Sequence, residues 1–443
     1  MENTYKVKAI KVILTFIITA LVLQLVFVCP IFIPRDNLNN NIAKSAAYMS
    51  KGYAIKKIDE NKDYTYHDYY ADSILLSIVK NFDSKNPLKS LALAEFGKDK
   101  NSFQNVSLYE ETLGKKIDKE QYIRYWHGSL LFVQPLLLFL DIQGIYKFNA
   151  IVLALLFVLL IFRLIRNKEY GLAAAFVFGL WLTKSWMLPI SLEYVPTFYV
   201  WIISMHCLIT MINRGKTEMA YLLFLITGMF TSFVDFLTTE TLTLTLPLVV
   251  LLYISKKRFD KSNKELLVML DSYAAIWLVG YAGMWAMKWV YSSIILHENT
   301  FKYFKSSIAE RLSTDAGKSA NGSEMTALGS MIKSLRVNFC TMMAGNSEGV
   351  KASIIYTLVA VLVLAIIIYC YKKKSFDWGF LGILSLCGIV PYIRYIVMQN
   401  HSIRHFFFTF RAQYITAVVI ALIVIEMIEW RTGKNASTKK RRV

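Results

Sequence analysis

Long apolar runs separated by short polar turns recur from one end of this chain to the other. They lie near 10–33, 145–165, 170–188, 195–213, 219–237, 238–255, 268–288, 352–371, 377–399 and 411–430, and most are long enough for a helix to cross a ~30 Å hydrocarbon core. Continuous apolarity of this kind, rather than strand-like alternation or a single helical stripe, predicts membrane-spanning α-helices. Two long mixed stretches interrupt the pattern, 34–127 and 297–350. The first contains the amphipathic run Ser73–Val79, which predicts a helix lying in the headgroup plane; the second has a Ser- and Gly-rich centre, Thr314 to Gly329, flanked by expected interfacial helices. A shorter apolar piece, 128–141, carries Pro135 at its middle and, at ~14 residues, predicts a re-entrant or interfacial segment rather than a span. The expected fold is an all-α polytopic membrane protein: one integral-membrane domain over 1–443, about ten transmembrane helices, two extracytoplasmic loops and a basic cytoplasmic tail, 431–443.

Charge sets the expected orientation. The chain is 55% hydrophobic with a formal charge of +19, a balance that in a soluble protein would raise nucleic-acid binding. Here the basic residues gather at the ends of apolar runs, so no nucleic acid is expected and membrane topology accounts for the charge. With Lys6, Lys8 and Lys11 inside, and 128–141 not crossing, the inner turns receive Arg163/Arg166/Lys168, Arg214/Lys216, Lys256/Lys257/Arg258 and Lys372/Lys373/Lys374. Only Lys184, Arg404 and Arg411 then fall on short outer segments. The positive-inside rule therefore favours both termini in the cytoplasm. The first apolar run is too long for a signal-peptide core and reads as a retained span. Cys29, Cys207, Cys340, Cys370 and Cys387 show no paired spacing and read as small core residues.

This orientation places three polar clusters on the outer side: His67-Asp68-Tyr69-Tyr70-Ala71-Asp72, Arg124-Tyr125-Trp126-His127-Gly128, and Asn400-His401-Ser402-Ile403-Arg404-His405 with Thr409 and Arg411 beyond and Arg394 below. Asp68 and Asp72 are four apart, so on a helix both would project from one face. Such a pair can bind a divalent ion, Mg or Mn, through oxygen while one member accepts a proton from a hydroxyl. The same spacing also fits a plain helix start, with Asp68 as N-cap and Asp72 in the first turn. Arginines and histidines at an interface suit a phosphate or pyrophosphate. Asp36, Glu193, Asp235 and Glu240 add acids at the outer ends of spans, where a carboxylate near hydrocarbon faces a wet cavity or a partner. His206, inside a span, reads as a satisfied bundle-core histidine, and Lys288, between Trp285 and Trp289, as a snorkelling residue.

The runs H-D-Y-Y-A-D-S, R-Y-W-H-G with L-L-F-V-Q-P-L-L-L-F, and N-H-S-I-R-H-F-F-F-T-F-R resemble a family of bacterial polytopic proteins of cell-surface polysaccharide loci, similar to the GT-C superfamily of membrane glycosyltransferases. The resemblance covers about residues 30 to 415, and departs from the family pattern at Tyr69 and Ala71. It implies a sugar transferred from a polyprenyl-phosphate donor to a glycan or glycolipid acceptor at the outer face of the bacterial cytoplasmic membrane. Its motifs fall on Asp68 and Asp72, on Arg124 and His127, and on His401, His405 and Arg411; for such a transfer the expected base is Asp72, then Asp68 or Asp36, and the leaving phosphate is expected on Arg404, His405, His401, Arg411, Arg394, Arg124 or His127. Glu193, Asp235 and Glu240 are then expected around a polar cavity. A polysaccharide polymerase or ligase fits the same residues; a glycolipid flippase or transporter would need polar residues through the midplane.

Overall fold

The computed structural model describes residues 2–312, 326–371 and 377–437. Most of Thr314–Gly329, the turn carrying Lys372–Lys374 and the end of the basic tail lie outside the described residues. Helix α1 (Glu2–Val28) presents Ile13, Leu14, Ile17, Leu21 and Leu25 uncovered by protein, as a lipid-facing helix does.

The first mixed stretch folds into a cap of four helices, α2 (Arg35–Met49), α3 (Tyr69–Asn81), α4 (Pro87–Leu93) and α5 (Gln104–Thr112). Two antiparallel pairs stitch it together: β1 (Ile55–Lys57) with β2 (Tyr66–Asp68), and β3 (Phe96–Gly97) with β4 (Lys119–Glu120). The run expected in the headgroup plane is instead the centre of this cap. Ile74, Leu75, Leu76, Ile78 and Val79 of α3 are all buried, and so are Ser73 and Ser77 between them. Its polar face can be buried because it is made of serines whose hydroxyls find partners: Ser77 Oγ donates to Glu111 at 2.9 Å and accepts from Gly97 N at 2.8 Å. The short apolar piece forms α6 (Leu130–Leu136), ~10 Å long at 1.5 Å per residue and far short of a bilayer.

The bundle follows: α7 (Ile142–Arg166), α8 (Tyr170–Leu182), α9 (Pro196–Asn213), α10 (Ala220–Val234), α11 (Leu242–Phe259) and α12 (Asn263–Leu296). After α13 (Phe301–Leu312) and α14 (Ala327–Ala344) come α15 (Val350–Tyr371), α16 (Trp378–Gly388), α17 (Val390–Val397), α18 (Gln399–Arg404), α19 (Phe406–Thr409) and α20 (Tyr414–Ser437). Local chemistry starts several of these: Asp141 caps α7 through Gly144 N at 2.9 Å, and Ser262 with Glu265 forms a capping box on α12.

Among the described residues seven helical segments are long and apolar enough to cross a membrane: Lys8–Phe32, Ile142–Arg166, Pro196–Asn213, Thr217–Val234, Asn263–Leu296, Trp378–Val397 and Phe406–Glu426. The three other expected spans fall on α8, α11 and α15. The thirteen residues of α8 reach only ~20 Å. α11 is buried from Leu242 to Ser255 except at Leu244, so other helices rather than lipid surround it. The closest packing joins α10 to α12. A Cβ on Gly228 would sit 2.2 Å from Trp277 O, and one on Gly280 2.2 Å from Leu225 O, so only glycine lets these backbones touch.

Cap and bundle are locked together by Lys288, which does not snorkel. It is fully buried in α12 and donates to Leu91 O at 2.7 Å and Ala92 O at 3.1 Å, carbonyls at the end of α4. Its ammonium lies 5.5 Å from the centre of the Trp126 ring. His206 sits in the bundle as a paired residue, Nδ1 3.1 Å from Arg163 Nη1 and Nε2 3.2 Å from Leu156 O.

Candidate functional site

The chain enters α3 from β2 through Asp68, whose non-helical backbone (φ −99°, ψ 72°) lets its carboxylate accept from Ala71 N at 2.9 Å. Asp68 is therefore an N-cap, and the rule that residues four apart share a helix face does not bind it. The two acids part company. Asp68 lines a cavity of about 450 Å³. Asp72, fully buried, turns into the protein, where Oδ1 accepts from Ser191 Oγ and Leu192 N, both at 2.9 Å, and Oδ2 from the Tyr146 hydroxyl. Asp72 does not line the cavity; it fastens α3 to α7 and to the loop ahead of α9.

That loop supplies a further acid to the cavity. Glu193, next to the residue whose amide Asp72 holds, lines it together with Asp68, Arg124, Asn400, His401, Arg404 and His405. Residues from all three sequence clusters thus share one chamber. Tyr70, Tyr122, Tyr125 and Phe236 give it aromatic walls, and the Arg124 guanidinium stacks 4.8 Å from the centre of the Tyr122 ring. His401 and His405 lie with ring centres 4.7 Å apart, and His405 stacks on Phe408 at 5.2 Å.

The remaining expected residues build the walls. Arg394 is paired to Glu240 at 2.7 Å and donates to Ser402 Oγ at 3.2 Å, with His401 Nδ1 3.3 Å away. It supports the histidine and is itself spent on a buried carboxylate. Asp235 caps the hinge after α10, accepting from Leu237 N at 2.9 Å and Thr238 Oγ1 at 2.6 Å. Arg411 is fully buried, donating to Tyr64 O at 3.0 Å and Phe407 O at 3.2 Å, with its guanidinium over the Tyr194 and Phe410 rings. His127 is buried in a left-handed turn (φ 57°) with Nε2 2.9 Å from Tyr122 O. Gly128 follows because a Cβ there would meet Phe233 at 2.4 Å. Asp36 is exposed on the first turn of α2. Asp72, Asp36, Arg394, Arg411 and His127, all expected to act on substrate, do not line the chamber.

Burial sets the electrostatics. Desolvation pushes Asp68 up to about 6 and Asp72 up to about 8, the latter opposed by its three hydrogen-bond donors. Glu193 rises for the same reason, reinforced by the nearby Asp68 and Asp72. Asp235 rises by burial and the charge of Glu240, and burial drops His127 to about 3, leaving it neutral. A carboxyl poised near neutrality inside a cavity is suited to taking up a proton. The Asp68/Asp72 pair does not fit a shared metal, because Asp68 lines the cavity and Asp72 turns away from it into the protein. Among the described residues no three His, Cys, Asp or Glu side chains converge as a metal site.

A second cavity, also about 450 Å³ and almost wholly apolar, lies among α6, α7, α9 and α10, walled by Phe132, Val152, Tyr199, Ile203 and Phe230. Leu192 lines this groove and its neighbour Glu193 lines the polar chamber, so the two meet within one dipeptide. Glu193 was legible in sequence as an acid in a turn between two spans; Glu120, Phe236 and Tyr303, which also line the chamber, carry no such signal. Comparison with protein-family models, with curated proteins and with solved structures finds no match to this chain.

Proposed function

We propose that this protein is a membrane-embedded glycosyltransferase that moves a sugar from a polyprenyl-phosphate donor to a glycan or lipid-linked acceptor. We place the reaction on the extracytoplasmic side of a bacterial cytoplasmic membrane, with both termini inside. The observation that carries the reading is the single chamber in which Asp68 and Glu193 meet Arg124, His401, Arg404 and His405. Cations serve a phosphate and an acid serves a hydroxyl, and this chamber offers both. The adjoining apolar groove suits the isoprenoid chain, and the aromatic walls suit the apolar faces of a sugar ring.

In the proposed reaction the Asp68 or Glu193 carboxylate takes the proton of the acceptor hydroxyl as its oxygen bonds to the anomeric carbon. The bond from that carbon to the phosphate oxygen breaks on the opposite face, inverting configuration and releasing polyprenyl phosphate. Arg124 and Arg404 stabilise the negative charge on the departing phosphate. No metal enters this scheme.

The test uses the full-length protein in vesicles, supplied with a panel of labelled polyprenyl-phosphate sugars. Wild-type protein transfers label; Asp68→Asn or Glu193→Gln, whichever removes the base, lowers the rate about 10²- to 10⁴-fold in folded protein. If both variants transfer at the wild-type rate, neither acid is the base and the reading fails.

A further inference from the structure

At the far end of the bundle from the chamber lies a basic pocket that the proposed chemistry does not use. α7 begins beside the cap, where the Tyr146 hydroxyl donates to Asp72, and Arg166 lies ~30 Å farther along the same helix at 1.5 Å per residue. There the turn between α7 and α8 meets the last turn of α11. Together they border an open hollow of about 610 Å³ lined by Arg166, Lys168, Glu169, Tyr170, Lys257 and Arg258, among others.

The charges in this pocket do not cancel. Arg258 is engaged by Glu169 at 2.8 Å and donates to Asn167 O at 2.7 Å, and Lys257 is engaged by Glu426 at 2.5 Å. Each acid is therefore spent on one cation. Arg166 and Lys168 are exposed and enter none of the ion pairs among the described residues, leaving two positive charges in excess. The turn that carries them is fixed. Lys168 adopts a left-handed backbone (φ 63°), and Lys168 N and Glu169 N close the end of α7 on Ile165 O and Leu164 O, both at 2.9 Å. Beside the pocket, Val158, Phe162 and Ile165 of α7 and Tyr170 of α8 are left uncovered, an apolar strip leading along the span to the cations.

We infer that this pocket binds the phosphate of an anionic phospholipid headgroup, with an acyl chain lying along the strip of Val158, Phe162 and Ile165. Cations beside a phosphate are strengthened where low-dielectric hydrocarbon begins, and Tyr170 offers an exposed aromatic ring of the kind that anchors at an interface. The apolar strip favours a lipid over a soluble phosphate ester, which would have no use for it.

The experiment titrates phosphatidylglycerol into full-length protein held in a neutral detergent and counts bound lipid by native mass spectrometry. Phosphatidylcholine serves as the uncharged comparison. Wild-type protein is expected to retain phosphatidylglycerol selectively. The doubly substituted Arg166→Gln/Lys168→Gln protein should bind it about 25-fold more weakly, a factor of about five for each cation removed. Lys100→Gln/Lys116→Gln, an equal loss of charge at exposed cap positions, should bind as wild type does. A parallel arm adds glycerol phosphate and inorganic phosphate. Failure of both to displace the lipid supports the headgroup assignment, while displacement at matched concentration assigns the pocket to a soluble phosphate and overturns it. Unchanged binding in the Arg166/Lys168 variant, or equal loss in the cap control, also overturns it.

Discussion

At the scale of single residues, Asp68 and Asp72 differ by one helical turn and by the company each keeps. Asp68 caps α3 and faces the chamber, while Asp72 holds Tyr146, Ser191 and Leu192 N and does not line it. Their substitutions should separate accordingly. A base acts in its ionised form, so a transfer rate that depends on Asp68, raised by burial to about 6, climbs as pH rises through about 6 and then levels. Asp68→Asn removes both the rate and that limb; an unaltered limb in the variant would take Asp68 out of the role. Asp72 should report on stability instead. Its folded value, raised to about 8 by burial, lies above the ordinary carboxyl value near 4. The protonated group's contribution is thus complete below about pH 4 and is lost as pH rises through about 8. Asp72→Asn keeps an acceptor and a neutral group, so it should retain transfer while flattening the melting temperature against pH. The slope removed is up to ~1.4 kcal/mol per pH unit. Loss of transfer with an unchanged pH slope would contradict the structural role.

At the scale of elements, the contact between α10 and α12 tests how the bundle is held. In lipid there is no hydrophobic drive between helices, so close backbone approach must do the work. Gly228→Ala or Gly280→Ala places a methyl 2.2 Å from a carbonyl oxygen on the facing helix, and neither backbone can give way without parting the pair. Each is expected to destabilise the protein by about 1–3 kcal/mol, read as a lower melting temperature in detergent. Gly382→Ala, inside α16 where a Cβ meets nothing within 4 Å, should leave stability unchanged or raise it by up to ~1 kcal/mol. Equal stability of all three would mean the helices are not in this contact. α3 shows how an element can mislead. Its apolar and serine positions give an amphipathic pattern, but Glu111 and Gly97 N satisfy Ser77 from inside the cap, so the polar side is buried as well.

At the scale of the whole molecule, the proposed arrangement has the chamber at one end of the bundle and the basic pocket at the other. A thiol probe that cannot cross the bilayer should label Tyr70→Cys and Arg404→Cys, one at a time in a cysteine-free background, from one side only. Lys168→Cys should label from the opposite side. Labelling of positions 70 and 404 from different sides would break the single-chamber arrangement. What the sequence determined by itself is what depends on local composition: helical spans of apolar residues, basic turns between them, the option of an N-cap at Asp68, and three polar clusters. Burial of a long apolar run is favourable wherever the run lies, so its class is readable without knowing its neighbours. What only the tertiary structure decided is which polar side chain meets substrate and which meets protein. Glu193, in a turn, and Arg404, at the end of α18, reach one chamber from far apart in the chain, whereas Arg394 is paired with Glu240 and Asp72 is hydrogen-bonded by Tyr146, Ser191 and Leu192 N, although both are equally polar in sequence. A buried charge must find a partner, and that partner is supplied by the fold, across separations in the chain that no local pattern encodes.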